Sequence, residues 1–172
     1  FPSTHVIIRN SWIEKSGGNG LILRVASSPL IEHNTFKQCG YTQTGNALFP
    51  FNCDDALIQY NEIYQTVYNT GDVDASAIDA DYRCKRTVIQ YNYTHDNDGG
   101  FLVVTCQGGV DRFNDGTIVR YNISQNDHGE LIYLSGQTTN TKIYNNVIYS
   151  GAGNSYSYIV HLNNWLAWPD ST

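Results

Sequence analysis

Ile58-Gln59-Tyr60-Asn61 and Ile89-Gln90-Tyr91-Asn92 are the same phrase, set 31 residues apart. An apolar β-branched residue, two further residues and an asparagine also recur elsewhere. They read Ile7-Ile8-Arg9-Asn10, Ile31-Glu32-His33-Asn34, Val119-Arg120-Tyr121-Asn122 and Ile143-Tyr144-Asn145-Asn146. The six asparagines are spaced by 24, 27, 31, 30 and 24 residues. A unit of that length holds two or three short strands and their turns, and nothing larger. Such units bury their apolar side chains only by stacking on one another, so the spacing predicts a solenoid.

Each phrase supplies one strand per coil. A second apolar run follows a glycine-rich or polar turn, as in 21–25, 47–51, 77–81, 101–105, 131–135 and 158–162. Ile22, Leu48, Ile78, Leu102, Ile132 and Ile159 form an aliphatic column and are placed inside. Side chains alternate along a strand, so their neighbours face out. One outward column is then Leu23, Phe49, Asp79, Val103, Tyr133 and Val160. The other is Val25, Phe51, Asp81, Thr105, Ser135 and Leu162. The repeated asparagine is placed at a turn, because Asn tolerates left-handed backbone. Its amide can link coil to coil as a structural ladder. Tyr60, Tyr91 and Tyr121, just before successive asparagines, are expected to stack.

The 172 residues carry a net charge of −6 and 15% charged side chains, with no basic run. That balance argues against nucleic acid or an anionic membrane surface as partner, and no apolar stretch approaches the ~20 residues of a membrane span. A single domain over 1–172 is expected. The absence of methionine and the Phe-Pro-Ser start suggest a mature or excised piece of a larger enzyme, with flanking domains. Abundant Asn, Gly and Thr and 13 tyrosines suit a β-rich extracellular protein, secreted or cell-surface.

Gln90-Tyr91-Asn92-Tyr93-Thr94-His95-Asp96-Asn97-Asp98-Gly99-Gly100-Phe101 and Val119-Arg120-Tyr121-Asn122-Ile123-Ser124 resemble the repeats of right-handed parallel β-helices from secreted bacterial polysaccharide-active proteins. The resemblance covers nearly the whole chain. It implies an all-β, right-handed parallel β-helix of about six to seven coils. Pectate lyases, polygalacturonases, alginate lyases and some carbohydrate-binding modules share such coils, so the resemblance is specific for fold and weak for activity. In size the chain resembles β-helical xylan-binding modules.

The outward face of the second strand is the candidate glycan surface. Phe49, Phe51 and Tyr133 offer rings to sugar C–H faces, and Asp79 and Asp81 offer carboxylates to hydroxyls. His95 and Asp98, in the turn leading into Phe101, join this ligand-binding set. Asp72 and Asp74 precede the Asp79–Asp81 strand, and with that pair could hold Ca²⁺ through oxygen ligands. No other cofactor is expected. A hydrolase needs two carboxylates with separate roles. Asp79 and Asp81, two apart on one strand, would lie ~6–7 Å apart. Lys85 is the nearby candidate base of a lyase. Asn52-Cys53-Asp54-Asp55 matches polygalacturonase-like signatures only by letter, since no Gly-His-Gly follows. The shortness, acidity and incomplete motifs favour a non-catalytic module binding xylan or related plant cell-wall hemicellulose. The alternative is a catalytic β-helix, a polysaccharide lyase or glycoside hydrolase. A third reading is a structural or adhesive repeat that binds no glycan.

Cys53 and Cys84 each lie eight residues before a repeat asparagine. They should stack in adjacent coils, within disulfide range, either bonded or as small core residues.

Overall fold

The computed structural model describes residues 2–69, 74–106, 112–151 and 158–163. Among them every strand pairing is parallel, and neighbouring strands come from successive coils. The first sheet has ten strands. It holds the long runs Leu21–Ser27, Leu48–Asp54, Ile78–Ala80, Leu102–Cys106, Ile132–Gly136 and Val160–Asn163. The second holds six short strands, among them Leu30–Glu32, Leu57–Gln59, Val88–Gln90 and Ile118–Arg120. The third also has six, among them Thr35–Lys37, Glu62–Tyr64, Tyr93–His95 and Ile123–Gln125. Six rungs enclose about five turns, fewer than the six to seven expected.

The core is a set of stacked columns. Ile31, Ile58, Ile89 and Val119 lie directly above one another and are fully buried. Leu48, Ile78, Leu102 and Ile132 form the matching column of the first sheet. Burying each such side chain is worth about 1.5–3 kcal/mol, and each is covered only when the coils on both sides are present.

The asparagine ladder is present and fully bonded. Asn34 donates through both its backbone N–H and its Nδ2 to Asn61 Oδ1, each at 3.0 Å. Asn61 repeats this toward Asn92, Asn92 toward Asn122, and Asn122 toward Asn146. The left-handed backbone, however, belongs to the residue before the ladder. His33, Tyr60, Tyr91 and Tyr121 have φ of 54°, 54°, 55° and 57°. Their rings stack outside at 5.1, 5.2 and 5.3 Å. The stacking offsets the strain that a bulky side chain meets at positive φ.

The expected register holds in the middle and slips by one residue at both ends. Leu48 pairs with Leu21 rather than Ile22, and Ile132 with Val160 rather than Ile159. In the first coil, Ser11 faces Asn34 and donates its N–H to Asn34 Oδ1. Asn10 instead takes the left-handed position, at φ 53°. Asparagine suits both the corner and the ladder, which is why the first phrase misleads by one. Outward columns therefore begin at Ile22 and Arg24 and end at His161 and Asn163.

Candidate active site

A groove of about 780 Å³ runs along the outward face of the first sheet. Its floor carries Phe49, Asp79, Val103, Tyr133 and His161, with Asp81 and Thr105 beside them. One wall is made by the turns that enter these strands, through Asp74, Ser76, Asp98 and Glu130. These turns approach one another closely: Gly100 has φ +100°, and a Cβ there would strike the carbonyl of Glu130. Tyr82 lines the groove after Asp81.

Asp79 and Asp81 are on the outward face, as expected, but they are not solvated. The walls leave them 5% and 7% exposed. Asn46 Nδ2 donates to Asp79 Oδ2 at 2.9 Å, while Asp79 Oδ1 is buried with no hydrogen-bond partner. Asp81 Oδ1 accepts from the backbone N–H of Tyr82 at 2.5 Å. Burial raises the Asp79 carboxyl well above the ordinary range, and the charges of Asp81 and Asp74 raise it further. Burial also raises Asp81, to about 7, opposed by the Tyr82 N–H and by Arg24. Desolvation thus holds both carboxyls toward their protonated forms, while the Tyr82 N–H and Arg24 favour the ionised form of Asp81. Burial followed by the Asp81 charge pushes the Tyr82 phenol up to about 12, so it stays a neutral donor.

The upper groove is polar as well as aromatic. Glu130 Oε1 meets His161 Nδ1 at 2.9 Å, and Asn163 Nδ2 donates to the Tyr133 hydroxyl at 2.9 Å. The Tyr133 and His161 rings lie 5.1 Å apart. His161 escaped the sequence reading because of the one-residue slip in the last coil. Tyr68 and Tyr82 escaped it because turn residues give no periodic signal.

Of the expected ligand-binding residues, Phe49, Asp79, Asp81, Asp98 and Tyr133 line one groove. Phe51 and His95 do not. Phe51 packs beside it, with the Arg24 guanidinium 5.3 Å and the Tyr82 ring 5.7 Å from its own. His95 belongs to the third sheet, stacked between Tyr64 and Tyr93 at 4.7 and 4.6 Å and bonded to Asp96. The strand Tyr93–His95 has turned away before the chain re-enters the first sheet. Lys85 is also misplaced as a base. It lies past the turn at Tyr82, with its ammonium 4.9 Å from the Phe113 ring centroid. Asp98 Oδ2 accepts from the Tyr68 N–H at 2.9 Å. Asp72 lies outside the described residues. Among the described residues no group of three His, Cys, Asp or Glu is disposed to hold a metal.

Cys53 and Cys84 are neighbours, next to the paired Asp54 and Lys85, yet no disulfide joins them and both are buried. The Cys84 thiol bonds to Cys53, lowering Cys53 and raising Cys84.

The sequence matches the family described as right handed beta helix region over residues 1–148. It is 34% identical over 167 residues to a lacto-N-biosidase of Bifidobacterium longum subsp. longum, covering 88% of this chain and 10% of that protein. The crystal structure of the GH136 lacto-N-biosidase from Eubacterium ramulus superposes with a TM-score of 0.61 at 24% identity, over 84% of this chain and 28% of that one. Its selenomethionine form gives 0.60 over 92% and 27%. The chain thus spans about a tenth of its curated relative. These relatives are named lacto-N-biosidases rather than xylan-binding modules, so the expected xylan-binding module is not supported. The match over residues 1–148, together with three parallel sheets stacked coil on coil, places the chain in the right-handed β-helix family.

Proposed function

We propose that this chain carries the catalytic groove of a glycoside hydrolase acting on an oligosaccharide that contains lacto-N-biose. The observation that carries the reading is the pair of nearly buried carboxyls, Asp79 and Asp81, in one groove, Asp79 with an unpaired oxygen and Asp81 bonded by the Tyr82 N–H. Glycoside hydrolysis uses such a pair. Asp79, whose burial favours its protonated form, donates to the departing glycosidic oxygen. Asp81, whose ionised form is favoured by the Tyr82 N–H and Arg24, faces the anomeric carbon as nucleophile or as base toward water. Phe49 and Tyr133 offer apolar faces to the sugar rings one coil below and two coils above Asp79. The kinship with lacto-N-biosidases supports the substrate class and a secreted setting.

Incubation with p-nitrophenyl lacto-N-bioside and with xylo-oligosaccharides tests the reading. Release of nitrophenol from the first, with no products from the second, is the expected result. Wild-type turnover that survives in both Asp79→Asn and Asp81→Asn would remove the carboxyl pair from the chemistry.

A further inference from the structure

Thr105 presents a hydroxyl that the fold does not use. It is 6% exposed, and its Oγ1 has no hydrogen-bond partner. A buried unpaired hydroxyl opposes folding, whereas valine would have the same shape without that penalty. The position is not a random one. Val103 pairs with Asp79 and Val104 with Ala80, so Thr105 lies one coil above Asp81, and it lines the same groove. Asp79 Oδ1 is likewise orphaned on this groove. These two oxygens lie on neighbouring coils.

We infer that Thr105 is a substrate-binding residue whose hydroxyl pairs with a hydroxyl of the sugar ring seated over Asp81. The inference rests on the hydrolase reading for its ligand class. A threonine hydroxyl both donates and accepts, which suits a sugar hydroxyl. A site built to bond a substrate hydroxyl also discriminates against sugars that lack it.

Calorimetric titration of lacto-N-biose into the full chain tests this, with Thr105→Val, Thr105→Ser and Thr87→Val as variants. Thr87 Oγ1 is likewise buried and unpaired, but it does not line the groove. Thr105→Val is expected to bind about tenfold more weakly while melting at or above the wild-type temperature. Thr105→Ser should recover affinity to within about threefold, and Thr87→Val should bind as wild type. Unchanged affinity in Thr105→Val, a lowered melting temperature there, or no binding by the wild type would overturn the inference. Turnover is read separately. A chain that binds without cleaving loses the hydrolase reading but keeps Thr105, and cleavage with Thr105→Val affinity unaltered does the reverse.

Discussion

Asn46 bonds Asp79 through a single oxygen, Nδ2 to Oδ2 at 2.9 Å, and leaves Oδ1 buried and unpaired on the groove. One contact therefore fixes the carboxyl while its second oxygen stays available for a proton. Asn46 itself is held by the coil before and the coil after: its N–H donates to Asn19 Oδ1, and its Oδ1 accepts from the Ser76 N–H. A second series of polar bonds, through Asn19, Asn46 and Ser76, thus reaches the groove.

Asp79→Asn keeps an acceptor for Asn46 and removes the proton. Loss of a general acid typically costs ~10²–10⁴-fold, and a fall of that size in hydrolysis rate is expected in initial-rate assays. The same change should raise stability at pH 8. Asp79 is raised in the folded chain, so folding favours its protonated form. That contribution is full below the ordinary carboxyl value of ~4 and is lost as pH rises. The melting advantage of the variant should therefore be absent near pH 4 and grow as pH rises toward about 8.

Activity should trace a bell in pH. The acid limb follows ionisation of Asp81, raised to about 7. The alkaline limb follows loss of the proton from Asp79, whose burial and the nearby Asp81 and Asp74 charges favour its protonated form. A profile of kcat/KM flat between pH 5 and 9 would contradict the assignment of roles.

Asn92 Oδ1 accepts two bonds from Asn61, while its Nδ2 donates to the carbonyls of Ile58 and Gln90. Asn92→Ala leaves buried groups unpaired on both sides. A loss of about 3 kcal/mol is expected in urea unfolding, at roughly 1–3 kcal/mol per orphaned group. An exposed change such as Tyr68→Phe should move stability by under ~0.5 kcal/mol.

Tyr133→Ala should weaken lacto-N-biose binding by ~1–2 kcal/mol in calorimetry, the range for a central aromatic contact. Phe51→Ala should change it far less, since Phe51 packs outside the groove against Arg24 and Tyr82.

The solenoid was legible because each coil repeats the same demand: an inward Ile or Val, a corner, then an amide that bonds upward and downward. The middle register was legible too, since Leu48, Ile78, Leu102 and Ile132 have the same neighbours and so the same residue type. Periodicity weakens where a coil has only one neighbour, which is why Ile22 and Ile159 were placed inside while both are substantially exposed. It also cannot say which residue of Tyr91-Asn92 takes positive φ, because Asn suits either slot.

Strand alternation alone puts Phe49, Asp79, Asp81 and Tyr133 on one face. That this face is walled follows from packing between distant segments. The turns carrying Asp74, Asp98 and Glu130 cross to the same side and take Asp79 and Asp81 out of water. Desolvation is what raises both carboxyls, and it depends on atoms far apart in the chain. The same walls enclose Thr105 and admit His161, and they exclude Lys85 and His95, whose strands face elsewhere.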